Sequence, residues 1–259
     1  MTAVVTGGAS GIGEACARRL AAEGHAVAIL DTNAARGAEV ATDLRSSGAN
    51  AQAFECDVSD AGTIEALAQK IESNLEPVDI LIVAAGILQN AETVLDMDVE
   101  AHDRVWQVNY HGSLHTARAF GRSMVERGQG SIVFIGSTNS VAPFPLPAYS
   151  PSKTAILRLM ELLAVEFGRR GVRVNGVAPT YTLTPALKAR IESGERDLDV
   201  IRKSGAIDIV VEPRHVADAV NFLCSDQATA ITGVMLPIDA GWKAATLYRA
   251  YAGGVPWDE

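Results

Sequence analysis

Three polar residues, Ser137, Tyr149 and Lys153, have the types and the spacing of a proton-transfer site. Tyr149 and Lys153 are four positions apart, so on a helix both side chains project from one face, one turn apart. A free tyrosine has a pKa of about 10, but a neighbouring ammonium stabilises the phenolate. We therefore expect Lys153 to lower the pKa of Tyr149, which could then exchange a proton with an alcohol or a carbonyl. Ser137 follows a strand-like run and is expected to hydrogen-bond the substrate oxygen.

When an alcohol and a carbonyl are interconverted, a hydride moves along with the proton. A glycine-rich loop near the N-terminus predicts the cofactor that would accept or supply this hydride. Residues 6–13 read TGGASGIG and lie between a strand-like run and a helix-like run. Backbone N–H groups in such a turn can approach a pyrophosphate, and the helix dipole favours its charge. The loop predicts a nicotinamide dinucleotide, whose ribose Lys153 would also hold; a tight turn without a ligand is the alternative. The residues expected to contact the cofactor here are Gly7, Ser10, Gly11, Ile12 and Gly13.

Asp31, 18 residues after Gly13 at the end of the second strand-like run, predicts which dinucleotide is bound. A carboxylate at this position can accept both ribose hydroxyls of an adenosine and repels a 2′-phosphate. Residues 32–34 contain no arginine to neutralise that phosphate, and the nearest one, Arg36, is expected to be exposed. The sequence favours NAD over NADP, although Asp31 could instead be a helix cap or a solvated turn residue.

Two further strand ends carry candidate cofactor contacts. Asp57 could hydrogen-bond the adenine amino group while Val58 packs on the ring; a helix N-cap is the alternative for Asp57. Ala85 and Gly86 end another strand with small residues, which would let a cofactor lie close or would simply allow tight packing. Asn109 lies in the helix-like stretch 106–120, where asparagine is unfavourable unless its side chain has a task. We expect Asn109 to kink that helix and to hold a water that relays protons to the lysine; an exposed or capping asparagine is the alternative.

Apolar runs of strand length alternate with helix-period stretches along the chain. This alternation predicts an α/β fold, a doubly wound parallel sheet in a single domain spanning 1–259, with right-handed crossovers and helices on both faces. The strand candidates are 3–6, 26–30, 51–56, 80–84, 131–136, 173–178 and 234–238. The helix candidates include 13–23, 61–73, 99–127, 150–170 and 213–224. Residues 182–208 are polar and helix-prone and could form a lid or an ordinary surface insertion.

Bulk composition narrows the class of partner. The chain has 259 residues, 48% of them hydrophobic, and a net charge of −9, so no nucleic acid partner is expected. No apolar run approaches the roughly 20 residues that span a bilayer, so no membrane association is expected. The three scattered cysteines are expected to be reduced thiols of a cytoplasmic protein, with no metal site.

Together these residues resemble the short-chain dehydrogenase/reductase family over essentially the whole chain. Residues 6–13 resemble its Thr-Gly-x-x-x-Gly-Ile-Gly motif, and 84–86 its Asn-Asn-Ala-Gly stretch without the asparagines. Its catalytic tetrad is matched by Asn109, Ser137, Tyr149 and Lys153. The resemblance implies a Rossmann fold of about seven parallel strands, nicotinamide at their carboxyl ends, and a homotetramer.

The C-terminal third matches the family with departures. Residues 175–179 resemble its Asn-x-x-x-Pro-Gly segment, which implies that Pro179, Thr182 and Thr184 contact the nicotinamide carboxamide region; Thr180 replaces the glycine and Thr182 the usual aliphatic residue. Ala240 replaces a glycine of a Thr-Gly…Asp-Gly-Gly pattern. The tail 242–259 carries aromatic residues that suggest burial on its own domain or on a neighbouring subunit, a frayed tail being the alternative. These aromatics are Trp242, Tyr248, Tyr251 and Trp257.

The substrate pocket is expected to be formed by 86–91, 138–147 and the lid. Its predicted hydrogen-bonding residues are Gln89, Asn90, Thr138 and Asn139, and no arginine or lysine is evident there, which disfavours an acidic substrate. The sequence thus predicts an NAD-dependent dehydrogenase of a secondary alcohol, such as a polyol or sugar. A carbonyl or 3-oxoacyl reductase is the alternative within the family. A non-catalytic NAD sensor and a methyltransferase fit the Tyr–Lys pair less well.

Overall fold

Seven parallel strands form one sheet in the order β3-β2-β1-β4-β5-β6-β7. The structure, a computed structural model, describes residues 1–255. The strands are β1 Thr2–Thr6, β2 Ala26–Asp31, β3 Ala51–Glu55, β4 Val78–Val83, β5 Gly130–Ile135, β6 Val172–Pro179 and β7 Met235–Ile238. All seven predicted strands are present, with ends within two residues of those expected. The predicted fold class is confirmed.

Helices cover both faces of this sheet, which explains why the central strands are apolar along their whole length. Every residue of β1 is buried, whereas a sheet with one wet face would alternate. One face packs on α1 Gly11–Ala22, α2 Ala34–Ser46 and α9 Pro213–Cys224. The other packs on α3 Ala61–Asn74, α5 Gly112–Arg127 and α6 Tyr149–Gly168. The remaining helices are α4 Val99–Trp106, α7 Pro185–Glu192, α8 Leu198–Ser204 and α10 Trp242–Arg249.

The stretch predicted as one helix, 99–127, is helical throughout but contains a π-helical segment, Gln107–His111, between α4 and α5. The hydroxyls of Ser113 and Thr116 donate to the carbonyls of Asn109 and Gly112, at 2.6 and 2.7 Å. A Cβ on Gly112 would lie 2.5 Å from Val58, so a glycine is needed for this helix to approach the end of β3. A π segment commonly marks a functional site, and this one contains the predicted Asn109.

The segment 182–208, the lid segment, contains α7 and α8 and makes one isolated bridge, Thr182 to Val211. In the tail, Trp242 stacks on Phe144 with ring centroids 5.2 Å apart, whereas Tyr248 and Tyr251 are exposed on this chain. Packing of a tail aromatic on its own domain is therefore observed for Trp242, which is half-buried, and Trp257 lies outside the described residues. Within residues 1–255, no helix has the length and apolar character needed to cross a membrane.

Candidate active site

A cavity of about 510 Å³ opens at the carboxyl ends of the strands. It lies at the end of β1, which has β2 on one side and β4 on the other. This position is where open α/β sheets bind ligands. All predicted site residues except Asn109 line it: Gly7, Ser10, Gly11, Ile12, Gly13, Asp31, Asp57, Val58, Ala85, Gly86, Ser137, Tyr149, Lys153, Pro179, Thr182 and Thr184. The structure therefore brings the two halves of the sequence argument, the glycine loop and the Ser–Tyr–Lys trio, into one cavity.

The glycine loop is packed too tightly for side chains. A Cβ on Gly13 would lie 2.1 Å from the Gly7 carbonyl oxygen, and one on Gly7 would lie 2.9 Å from the Ala85 backbone. Gly7 and Gly11 also have positive φ, which other residues rarely adopt. Ser10 makes no side-chain cap on α1, so the first-turn amides of that helix are left for a ligand. This loop fits the pyrophosphate of a dinucleotide.

Asp31 both supports the glycine loop and keeps acceptor capacity for a ribose. Its two carboxylate oxygens accept the backbone N–H groups of Ala9 and Asn33, at 3.0 and 2.9 Å. Each oxygen retains a second lone pair. Arg36, expected to be exposed, is partly exposed and bound by Glu14 and Glu39 at 3.0 and 2.9 Å. The Arg36 guanidinium is therefore engaged by glutamates and is not directed towards Asp31 to bind a 2′-phosphate.

Asp57 is held by partners that the sequence did not indicate. Its carboxylate accepts the hydroxyl and the N–H of Ser59 and, at 2.8 Å, the guanidinium of Arg104. The Ser59 hydroxyl, together with Arg104, lowers the pKa of Asp57 to about 2. Three of its four lone-pair sites are thus filled, and one remains for the predicted adenine contact. Arg104 itself lines the cavity. It is 47 positions from Asp57, so no local sequence pattern could predict this pair.

The helix that carries the catalytic pair is positioned by a residue from another loop. Ala148, the first residue before α6, provides no side-chain cap. Instead the Gln89 side-chain oxygen accepts the N–H groups of Ala148 and Tyr149, at 2.9 and 3.0 Å. At the next turn, the Ser140 hydroxyl donates to the Lys153 carbonyl at 2.9 Å. Gln89, predicted to contact the substrate, therefore fixes the start of the catalytic helix.

The Tyr149 phenol has a higher pKa in the structure than in water, opposite to our expectation. Burial raises the pKa, and a hydrogen bond with Ser137 offsets part of the rise. The Lys153 ammonium lies 5.6 Å from the centre of the tyrosine ring, and it donates to the Ile135 carbonyl at 2.8 Å. Burial lowers the pKa of Lys153 to about 8. Both groups are thus shifted towards their neutral forms because both side chains are buried.

Asn109 lies behind the cavity wall and is fully buried. Its amide oxygen accepts the Ile87 N–H at 2.8 Å, and its amide nitrogen donates to the Ile87 carbonyl at 3.1 Å and to Ser152 at 3.3 Å. The side chain therefore fixes the loop after β4 against α6. The predicted helix irregularity is present at this residue, whereas its role in a water relay stays a prediction.

The chain after β6 joins the lid segment to the glycine loop. Thr182 donates to the Thr180 carbonyl at 3.0 Å, and Thr184 caps α7 by accepting the Leu187 N–H at 3.4 Å. The Thr184 methyl would lie 3.2 Å from a Cβ on Gly11, so the base of the lid segment packs directly on the phosphate loop. Thr180, which stands in place of the family glycine, lines the cavity. Contacts with a carboxamide stay a prediction.

The predicted polar residues Gln89, Thr138 and Asn139 line the cavity, whereas Asn90 does not and its amide oxygen accepts a hydrogen bond from Arg190 at 2.9 Å. The Asn139 side chain is also used within the protein, where it bonds Ser137 and Ser150. The expectation that the pocket has no arginine is wrong, because Arg190 and Arg196 of the lid segment line it. Sequence alone could not place them, since their position depends on how that segment folds back over the sheet.

Comparison with known proteins agrees with this geometry. A family model described as enoyl-(acyl carrier protein) reductase matches residues 7–243. Galactitol 2-dehydrogenase from Rhizobium johnstonii is 37% identical over 243 residues, covering 93% of this chain and 94% of that protein. A solved oxidoreductase of the short-chain dehydrogenase/reductase family from Burkholderia thailandensis has a TM-score of 0.89 at 33% identity, covering 99% of this chain and 98% of that one. The chain belongs to the short-chain dehydrogenase/reductase family.

Membership of the short-chain dehydrogenase/reductase family makes this cavity a site for oxidoreductase chemistry with a nicotinamide cofactor, NAD or NADP. A further solved structure, a ribose-5-phosphate isomerase from Brucella melitensis 16M, has a TM-score of 0.91 at 37% identity, covering 99% of this chain and 97% of that one. The shared fold therefore accompanies more than one activity, and the substrate has to be argued from the site.

Proposed function

We propose that this protein is an NAD-dependent dehydrogenase that interconverts a secondary alcohol, such as a polyol or sugar, with its ketone. The observation that carries the proposal is the cavity in which Ser137, Tyr149 and Lys153 lie together with the open first turn of α1. A bound nicotinamide supplies the hydride acceptor or donor. The protein then has to bind the substrate oxygen and move one proton.

Tyr149 is the group proposed to move that proton. In alcohol oxidation the phenolate oxygen takes the hydroxyl proton as the carbon–hydrogen bond loses its hydride, and in carbonyl reduction the phenol returns it. The Ser137 hydroxyl oxygen accepts the backbone and side-chain N–H groups of Asn139, which leaves its O–H to donate to Tyr149 or to the substrate oxygen. Because the pKa of Lys153 is about 8, its ammonium predominates at neutral pH and favours the phenolate electrostatically.

NAD is the proposed cofactor because the adenosine end of the cavity carries unneutralised carboxylate. Asp31 keeps free lone pairs at the ribose position, and Arg36, the nearest guanidinium, is bound by two glutamates. A 2′-phosphate would meet repulsion from Asp31, and the arginine that lines this end, Arg104, is already paired with Asp57. An oxidised NAD pool favours alcohol oxidation as the direction in the cell.

A polyol or sugar is the proposed substrate class, which the activity of the galactitol dehydrogenase relative supports. The alternative is a carbonyl or 3-oxoacyl reductase, which the reductase named by the matching family model favours and which uses the same residues in reverse. An aldose–ketose isomerisation needs no external hydride acceptor, so it would not require the dinucleotide that the open amides of α1 are suited to bind. We further propose a cytoplasmic homotetramer; exposed Leu162 and Val165 on α6 would suit a subunit interface.

The test is nicotinamide reduction by the purified protein over polyols, sugars and simple secondary alcohols, with NAD and NADP side by side. We expect turnover on one class, with NAD at least tenfold more efficient. Tyr149→Phe should bind NADH normally but lose roughly 10²–10⁴-fold in kcat, the usual contribution of general acid–base catalysis.

Three results would contradict parts of this proposal. Equal efficiency with NADP removes the role of Asp31. Near-normal activity of Tyr149→Phe removes the acid/base assignment. Turnover only of ketones or 3-oxoacyl substrates with a reduced cofactor selects the reductase alternative, and NADH binding without any turnover selects a sensor.

A further inference from the structure

Three arginines of the described residues line the cavity, and two of them have no carboxylate partner. Arg104 is paired with Asp57 at 2.8 Å. Arg190 donates to the Asn90 amide oxygen at 2.9 Å, and Arg196 donates to the Glu195 carbonyl at 2.8 Å. Within residues 1–255 no ion pair is formed by either of the last two. Each retains unused guanidinium donors, because a guanidinium has five N–H groups.

A backbone hydrogen bond joins these two residues within the lid segment. The Arg196 backbone N–H donates to the Arg190 carbonyl at 3.1 Å, which brings the loop after α7 back to the end of that helix. Both residues are partly buried and line the same cavity as Tyr149. The planar donor fork of a guanidinium suits the oxygens of a carboxylate or a phosphate.

Hydrogen bonds connect Arg190 to the catalytic end of the cavity. Arg190 bonds Asn90, and the adjacent residue Gln89 bonds the N–H groups of Ala148 and Tyr149. The glycine loop is further away: Thr184 packs on Gly11, and Arg190 lies six residues beyond it, about 9 Å along a helix. The pair is therefore placed for a substrate substituent more than for the cofactor pyrophosphate.

Charge in the cavity is divided between its two ends. The acidic residues that line it are Asp31 and Asp57, which belong to the adenosine end and already accept protein donors, and the one cation that lines this end, Arg104, is paired with Asp57. The catalytic end carries Lys153, Arg190 and Arg196. An anionic substituent would gain three cations there without meeting a carboxylate.

We propose that Arg190 and Arg196 bind an oxyanion on the substrate, so that the polyol or sugar oxidised at Tyr149 is one that carries a carboxylate or phosphate group. That the oxyanion belongs to the molecule that is oxidised rests on the proposed function. Oxyanion binding at the two arginines can nevertheless be measured without turnover. It assigns the lid segment a role in specificity.

The experiment measures the affinity of the NADH complex for three ring compounds that cannot be oxidised: cyclohexanecarboxylate, cyclohexanecarboxamide and cyclohexyl phosphate. Isothermal titration or displacement of fluorescence from bound NADH serves as the readout. We expect at least one of the two anions to bind at least tenfold more tightly than the neutral amide. A tighter carboxylate identifies a hydroxy acid as the substrate class, and a tighter phosphate identifies a phosphorylated alcohol.

Variants test whether the arginines cause this preference. Arg190→Gln and Arg196→Gln should each lower anion affinity about tenfold, leaving amide and NADH affinity within twofold. Arg190→Lys should retain part of the preference, since it keeps the charge and loses the fork. Lys188→Gln is the matched control, because Lys188 is an exposed cation on the same helix outside the cavity lining, and it should change nothing.

Equal affinity of the wild-type complex for anions and amide would overturn the proposal. So would an anion preference that survives both Gln substitutions, or a Gln variant that loses NADH affinity and keeps its anion preference, which would assign the arginines to the cofactor. Failure of the proposed function gives a different pattern, namely an intact anion preference with no oxidation of any alcohol, aldonate or alditol phosphate. Circular dichroism of each variant excludes unfolding as the cause of a loss.

Discussion

Lys153→Met should stabilise the cofactor-free protein while abolishing turnover. The Lys153 side chain is buried, and its ammonium donates to a neutral group, the Ile135 carbonyl. No ion pair to it is present within the described part of the chain. Burial without a counter-charge lowers its pKa to about 8, so folding at neutral pH has to bury a cation or release a proton. Methionine is similar in length and carries no charge.

The magnitude follows from the shift in pKa. A change from 10.5 to about 8 corresponds to roughly 3 kcal/mol at pH values below 8. Loss of the hydrogen bond to the Ile135 carbonyl returns about 1 kcal/mol, so the variant should gain about 2 kcal/mol at pH 7. Between the two pKa values the unfolded chain binds more protons, so stability of the lysine protein rises with pH there. The advantage of methionine should therefore shrink by about 2 kcal/mol between pH 7 and pH 10.

Urea unfolding at pH 7, 8, 9 and 10 measures this difference. Burial also raises the pKa of Cys56 and Cys224 to about 12, but these thiols contribute equally to both proteins and cancel in the comparison. Lys188→Met, at an exposed position, is the control and should show no difference that changes with pH. A constant difference between wild type and Lys153→Met, or a methionine variant that is less stable at pH 7, would refute the reasoning.

Three further substitutions test the local geometry. Ala240→Gly should raise stability by about 0.5 kcal/mol in urea unfolding, since a φ of 52° strains alanine while glycine costs unfolded-state entropy; a loss above 1 kcal/mol contradicts it. Gln89→Leu should lower the melting temperature and kcat, since two amides at the start of α6 lose their acceptor at a cost of about 1–3 kcal/mol; unchanged kcat contradicts it. Gly13→Ala should abolish NADH binding in a fluorescence titration, since Cβ would overlap the Gly7 carbonyl; wild-type affinity contradicts it.

The fold could be predicted from the sequence because parallel strands buried on both faces leave continuous apolar runs. The strand ends then located the cofactor candidates, since parallel strands end at one edge of the sheet. Helix α2 was not among the helix candidates named from the sequence, although Val40, Ala41 and Leu44 follow a helical period and are buried.

What the sequence did not predict depends on contacts between distant segments. Asp57 meets Arg104 across 47 positions, and Gln89 meets Tyr149 across 60. The direction of the pKa shift of Tyr149 depends on burial, which a spacing of four residues does not contain. A Tyr–Lys spacing indicates that two side chains are neighbours on a helix. The burial of these side chains depends on the helices and loops that pack against them.

The positive catalytic end of the cavity is a local property of the fold and not a consequence of composition. The chain carries 31 acidic against 22 basic residues, so randomly placed charges would give an acidic cavity. Instead the acids of the cavity are held at the adenosine end, and Lys153 pays a desolvation cost at the other. An anionic substrate would supply the missing counter-charge and raise the pKa of that lysine again. The same burial that destabilises the empty site would then hold the ammonium in place when substrate enters.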